Sequence, residues 1–291
     1  MLRRTISIFL FFTLTHLSVS NTYAQSSEYD GYDSLSIRKV HDSDKMWRRT
    51  IWLRVDMREK INKPFFSTNR EISRIIIDAV ERGDLVPYWP DSTGYEYDSA
   101  VNIMTGDDFR YQFRDFSQEQ VQCFTDENGC NDSGCPGEAF FEPCAEATID
   151  YLDAKEYSVF RLREQWYFDK KHSRYYFDTQ VVTMIFPGYS ERNMDGADIP
   201  IASFRFKELH NVFKNIVPND AIWFNEYNSA QHKNMADAFL LRLFSGRITK
   251  FSNIENKNVL EFYDVGGPDG LMKSQEFLRK LMEWEANLWE Y

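Results

Sequence analysis

The side chains best equipped for chemistry are four cysteines, Cys123, Cys130, Cys135 and Cys144, gathered in one acidic window. Between Phe116 and Asp150 the chain carries eight carboxylates (Glu119, Asp126, Glu127, Asp132, Glu138, Glu142, Glu146, Asp150) and no Lys or Arg. Glycines 129, 134 and 137 and prolines 136 and 143 interrupt any long helix or strand there. Thiols in an even number on an exported chain read first as two disulfides, stapling a loop too polar to bury a core of its own. Three pairings are open. A four-thiolate zinc site is the competing chemistry, but the spacing C-x6-C-x4-C-x8-C lacks the C-x2-C knuckles that preset a tetrahedron. A calcium loop built on Asp126, Asn128, Asn131 and Asp132 is a third, although Gly129 comes too early for the EF-hand order. The plain expectation is a stapled surface insertion.

Outside that window the catalytic inventory is thin. No G-x-S-x-G elbow, H-E-x-x-H pair, P-loop or G-x-G-x-x-G fingerprint occurs. His210 and His232 lack a second histidine at i+4, and His41 and His172 fall in loops, so each reads as an ordinary surface histidine. Glu226 and Asp237 are conceivable acid–base partners, and Asp195 with Asp198 suits a turn equally well. The chain is therefore read as non-enzymatic, with no cofactor and no metal.

A different chemistry concentrates in the stretch Met46–Phe65, where Trp47, Arg48, Arg49, Trp52, Arg54 and Arg58 lie close together. Trp brings large apolar area and Arg a planar bidentate fork, the two anchors most enriched at protein interfaces. Trp47, Arg48, Trp52, Arg54 and Arg58 are the partner-binding candidates. The plainer alternative is an amphipathic segment whose arginines are solvated or paired with Asp56 and Glu59.

The rest of the chain must position these groups. Its 291 residues are 43% hydrophobic, 27% charged and 16% aromatic, a globular balance that excludes disordered, collagenous and multi-span membrane classes. A net charge of −11 argues against a nucleic-acid-binding surface spread over the whole protein. Residues 1–24 have the form of a secretory signal: Arg3 and Arg4, the apolar run Ile6–Leu14, and small residues ahead of Gln25. Residues 25–43 are polar and aperiodic, a flexible lead-in or a segment that orders on a partner.

From Asp44 onward helices and strands alternate. Apolar spacing predicts a helix from Ile72 to Val80, capped by Thr68 or Asn69 and stopped at Gly83. Leu85–Trp89 reads as a strand, and Thr105-Gly106-Asp107-Asp108 as the start of a helix running into Phe116. Tyr157–Phe168 and Tyr175–Ile185 form a hairpin signal. A short helix at Lys207–Asn215, a strand at Ala221–Asn225, a helix opening at Asn228 or Ser229, a strand at Ile248–Phe251 and a last helix at Ser274–Trp289 complete the pattern. Gly266-Gly267-Pro268-Asp269-Gly270 is a hinge from which that last helix could reach a neighbour. The expected fold is α+β, a mainly antiparallel sheet with packed helices in a single main domain, 44–291, with the acidic insertion at 116–150.

Two segments resemble a known family. Trp47-Arg48-Arg49-Thr50 through Arg54-Val55-Asp56-Met57-Arg58-Glu59-Lys60-Ile61-Asn62-Lys63-Pro64 is similar to the opening motif of the GldN/PorN family of gliding motility and type IX secretion components. Asp237-Ala238-Phe239-Leu240-Leu241-Arg242-Leu243-Phe244-Ser245-Gly246-Arg247-Ile248-Thr249-Lys250-Phe251-Ser252-Asn253 is similar to its closing D-x-F-x-x-R-x-F-S-x-x-I-x-K-x-S-N segment. Ile222–Tyr227 suits the aromatic strand before it. The cysteine insertion departs from the family pattern. The resemblance implies a periplasmic, non-enzymatic subunit associated with the outer membrane, forming rings with copies of itself and a GldK/PorK-like outer-membrane lipoprotein. Those rings are linked to the motor proteins GldL and GldM, the contact being a GldM/PorM-like periplasmic domain. An exported envelope hydrolase and a periplasmic ligand-binding module remain as alternatives, and neighbouring genes for a lipoprotein and two motor components would separate them from the assembly reading.

Intact-mass analysis of the exported protein checks two of these expectations together. The chain should begin at Gln25 and weigh about four protons less than its fully reduced form, as two bridges require. An intact Met1, four free thiols or stoichiometric zinc would contradict them.

Overall fold

The computed structural model describes residues 30–91, 98–114, 151–193, 195–263 and 267–288. The signal segment and all four cysteines lie outside the described residues. The described residues from Asp33 onward form one compact unit.

That unit is built on a five-stranded antiparallel sheet in the order β6-β5-β4-β1-β9. Its strands are β1 (Lys45–Asp56), β4 (Val159–Asp169), β5 (Arg174–Phe186), β6 (Ile199–Arg205) and β9 (Arg247–Phe251), while β2 (Phe66–Ser67) pairs β3 (Arg70–Glu71) and β7 (Ile222–Trp223) pairs β8 (Lys233–Asn234). The helices are α1 (Ile72–Glu81), α2 (Gly106–Tyr111), α3 (Phe206–Asn211), α4 (Met235–Leu240), α5 (Val259–Phe262) and α6 (Gly267–Leu288), with a π-helical turn at Val212–Ile216 after α3. The α+β expectation with a mainly antiparallel sheet is met.

The period of two along β1 divides its side chains between two very different surfaces. Ile51, Leu53 and Val55 join Phe160, Leu162, Trp166, Val182, Met184 and Phe204 in the main core, beneath Ile72, Ile76 and Ala79 of α1, Leu209 of α3 and Phe239 of α4. Each fully buried side chain of this kind stabilises the fold by roughly 1.5–3 kcal/mol. α6 is held on the same assembly by stacking of Phe277 on Phe251 (4.4 Å between centroids), by Trp284 against Trp47 (4.6 Å) and by Ser274 Oγ donating to the Ile248 carbonyl (2.8 Å). The helix expected at Ser274–Trp289 thus packs on the core of its own chain, and it begins already at Gly267.

Local chemistry explains where the observed elements depart from the expected ones. Thr68 and Asn69 do not cap α1, because they are the two-residue turn joining β2 to β3, with Asn69 at φ +65°, and Glu71 takes the cap position. Thr105 caps α2 by accepting from the Asp108 N–H (3.2 Å), but the helix ends at Tyr111. Leu85–Trp89 supplies only single bridges, Tyr88 pairing Ile103 and Ser203. Asn228 opens merely a 3-10 turn, and the helix is nucleated at Asn234, whose side chain accepts from the Ala236 N–H (2.9 Å).

The lead-in is packed from Asp33 onward. Leu35 lies against Tyr88, Ala100 and Val181, and Gln180 Nε2 donates to Asp33. Beneath it Asp178 is 3% exposed, and one of its oxygens has no hydrogen-bond partner. Burial first, then the Asp33 charge, push the Asp178 carboxyl up to about 6, against the opposing pull of Ser36, Arg38 and Lys45.

A raised native pKa means that the folded state binds this proton more tightly than the unfolded chain does. The cost of ionising Asp178 is absent below about pH 4, grows as the pH rises to about 6 and is complete above it, reaching roughly 2–3 kcal/mol. Asp178→Asn should therefore stabilise the protein by about that amount at pH 7.5 and leave it nearly unchanged at pH 4, as measured by urea unfolding at the two pH values. Equal effects at both would refute the assignment.

Candidate functional site

The two motif segments meet in space. Asn62, fully buried, donates from Nδ2 to the carbonyls of Asp56 and Ser245 (both 2.8 Å) and accepts through Oδ1 from the Ser245 N–H (2.8 Å). Its primary amide thus reads the closing segment's backbone as a strand partner would, using most of its hydrogen-bonding capacity. Beside it Gly246 runs so close to β1 that an added Cβ would lie 2.8 Å from Val55 Cγ2 and 3.2 Å from the Arg54 carbonyl oxygen. That fit brings β9 into register with β1, pairing Ile51 with Phe251, Trp52 with Lys250, Leu53 with Ile248 and Arg54 with Arg247.

A second pin comes from Arg242, the arginine of the closing motif, held at φ +54°. It reaches the fully buried Glu164 of β4 at 2.5 Å and lies over the rings of Phe177, Trp166 and Phe244 (4.5, 5.1 and 5.3 Å). Glu164 also accepts from Trp166 Nε1 (2.7 Å) and Thr179 Oγ1 (3.3 Å), so the buried carboxylate is fully engaged. Removing one partner from such a pair typically costs about 3–5 kcal/mol, which marks Arg242 as architectural.

The five partner-binding candidates are spread along one strand and just past its end. Trp47 packs on Trp284 and Tyr175 at one end of the core face. Arg48 is exposed and pairs with Asp42 (2.8 Å). Trp52 is 3% exposed, with Lys250 Nζ 5.1 Å from its ring centroid. Arg54 binds Asp198 through Nε (2.6 Å) and Nη2 (3.3 Å). Arg58 is exposed, its guanidinium 5.0 Å from the Tyr189 ring centroid. From Arg48 to its end at Asp56 the strand alone spans about 26 Å, and Arg58 lies beyond it, so the five side chains are not one patch.

What surrounds Trp52 and Arg54 is a cationic surface on the sheet face opposite the core. The registers place Arg247, Arg54 and Arg161 side by side across β9, β1 and β4, followed by Lys250, Trp52 and Arg163. Like charges directly opposite one another are destabilising, and the chain answers with carboxylates brought in on loops. Asp98, fully buried, grips Arg161 with two bonds (2.6 and 2.7 Å), and its own carbonyl accepts from Arg163 (3.2 Å). Asp98 and Ala100 sit at φ +55° and +51°, a strain of order 1–3 kcal/mol per residue that the surrounding contacts must offset. Asp198 accepts from Arg54 and from the Gly188 N–H (3.0 Å). Burial favours its neutral form, but Arg54, Gly188 and Arg247 outweigh burial and hold the carboxyl below the usual range, while Arg54 is raised in turn.

A cavity of about 210 Å³ is lined by Trp52, Arg54, Arg161, Arg247, Lys250 and Asp198, with Ile185, Val259 and Leu260 as apolar lining. Lys250 is 3% exposed; burial, then Arg161, hold its amine below the usual lysine range. Sequence reasoning singled out Trp52 and Arg54 but missed Arg161, Arg247, Lys250 and Asp98. The repeat Arg161-x-Arg163 inside a strand-like run was the available signal, since it puts two guanidinia on one face.

The remaining titratable candidates are engaged separately. His172 Nδ1 contacts Asp169 (2.6 Å), Asp237 pairs with Lys214 (2.7 Å), and His232 Nδ1 accepts from the Asn225 N–H (3.0 Å) while stacking on Phe224. His210 packs near Phe206 and is held below the ordinary histidine range by burial and Lys214, whereas His41 caps the turn at Asp42–Asp44. Glu226 lines a separate depression with Arg58 and Lys63. Among the described residues no group of three or more His, Cys, Asp or Glu side chains could hold a metal ion.

Charge reversal separates the exposed arginine from the paired one. Arg48→Glu should change stability by less than about 0.5 kcal/mol, whereas Arg54→Glu, facing Asp198 and Asp56 at 22% side-chain exposure, should cost about 1–3 kcal/mol in denaturant unfolding. Equal losses would contradict the placement of the two side chains.

A search of curated proteins finds no match to the chain. The family model described as gliding motility associated protein GldN matches residues 40–290, spanning the core, both motif segments and the cationic face. The chain belongs to the GldN family of gliding motility associated proteins.

Proposed function

We propose that the protein is a non-enzymatic structural subunit of the type IX secretion and gliding machinery. In this reading it lies in the periplasm against the outer membrane and forms a ring with copies of itself and a GldK/PorK-like lipoprotein. It also contacts the periplasmic domain of a GldM/PorM-like motor component. The observation that carries the reading is the family match over residues 40–290. The motif residues support it by their use, because Asn62, Arg242, Phe244 and Gly246 join strands and loops and do not converge on a reactive centre. Among the described residues no helix is long and apolar enough to cross a membrane. Ile254, Leu260, Met272 and Met282 stand exposed on α5, α6 and the turn before them, apolar area that an assembly could cover.

Of the five interface candidates, Arg48 and Arg58 are the exposed arginines and carry the docking proposal. Arg48→Glu combined with Arg58→Glu should leave the thermal midpoint within about 2 °C of the parent, since neither change buries a charge. The same double variant, expressed in place of the parent, should fail to co-purify the lipoprotein from envelope fractions and should stop secretion. A variant that folds, assembles and secretes normally would remove these arginines from the interface.

A further inference from the structure

The cavity over Trp52 has more positive charge than the assembly reading uses. Four cations line it, Arg54, Arg161, Arg247 and Lys250, against a single lining carboxylate, Asp198. Asp198 is hydrogen-bonded by Arg54 with Arg247 acting on it only as a neighbouring charge, and Asp98 holds Arg161 from outside the cavity. Asp98 and then Glu261 act on Lys250 as neighbouring negative charges. Arg247 is exposed and forms no ion pair among the described residues, yet the register holds it directly opposite Arg54. In a chain of net charge −11, three arginines set abreast on adjacent strands are a local inversion of sign that favours an anion.

Shape narrows the class of anion. At about 210 Å³ the space is smaller than ordinary ligand pockets, so it fits one acidic side chain or a small organic acid. Ile185, Val259 and Leu260 give the cavity an apolar side, which suits a carbon-bearing acid better than a compact, strongly hydrated inorganic anion. The guanidinium fork of Arg247 matches a carboxylate bidentately.

We propose that this cavity binds a carboxylate group, with Arg247 as its principal partner and Lys250, a buried positive charge, and Trp52 in its lining. The inference does not rest on the assembly reading: a chain that binds no carboxylate could still build a ring, and one that builds no ring could still bind the acid.

The full mature chain, isotope-labelled, should be titrated with glutarate, with a neutral-capped tripeptide containing one Glu, and with sulfate at matched ionic strength. Binding is followed through the Trp52 indole N–H, assigned by comparison with Trp52→Phe. Glutarate or the peptide should shift that resonance saturably with a Kd below about 10 mM. A tighter peptide would point to a protein carboxylate, and tighter glutarate to a free acid. Arg247→Gln should weaken binding about tenfold without lowering the thermal midpoint, and Arg247→Glu should abolish it. Absence of saturation, sulfate binding as tight as the acids, or unchanged affinity in both Arg247 variants would overturn the proposal.

Discussion

The fold depends on a side-chain amide acting as a piece of sheet. Asn62 closes three hydrogen bonds to backbone, two of them to Ser245, which lies 183 positions away in the chain. Bringing such distant segments together carries a loop-closure cost that only strong local pairing offsets, and a buried, fully satisfied amide provides pairing that water cannot replace. Once Ser245 is fixed, Gly246 passes close over β1 and β9 enters register. Phe251 is then in place to stack on Phe277 of α6, and Ile248 to accept from Ser274. The last helix and one wall of the cationic cavity follow from that single junction.

The central sheet solves two unlike problems on its two faces. Toward the helices it is a conventional apolar core, closed by the Arg242–Glu164 pair within a ring of aromatics. Toward the loops it presents arginines in adjacent rows, which the chain tolerates by delivering Asp98 and Asp198 from segments far away in sequence. The backbone at Asp98 and Ala100 adopts left-handed conformations to bring that carboxylate in. Electrostatic neutralisation therefore shapes the loops, and the loops in turn leave Arg247 without a partner of its own among the described residues.

These two faces alter what an interface reading can mean for this family member. A strip rich in Trp and Arg resembles a docking surface only while it is treated as linear. As a strand it sends Trp47 to the end of the core, buries Trp52 under Lys250 and ties Arg54 to Asp198. Arg48 and Arg58 alone of the five are exposed, at opposite ends.

The sequence by itself determined the elements whose periodicity is long and clean: the hairpin of β4 and β5, the apolar face of α1, the stop at Gly83 and the last helix. It also carried the family resemblance, in two ordered segments far apart in the chain, and the family model matches residues 40–290. Short elements were lost, since two-residue strands such as β2 and β8 carry no period, and Asn228 and Asn234 are equally good caps until packing selects one. Tertiary structure alone decided that Asn62 and Ser245 are neighbours, that Arg242 reaches Glu164, and that Arg54, Arg161 and Arg247 stand abreast around one cavity. The reason is physical. Local propensity and alternation set which face a residue takes, but which strands are adjacent is fixed by burial and hydrogen bonding between segments that share no sequence signal of their proximity.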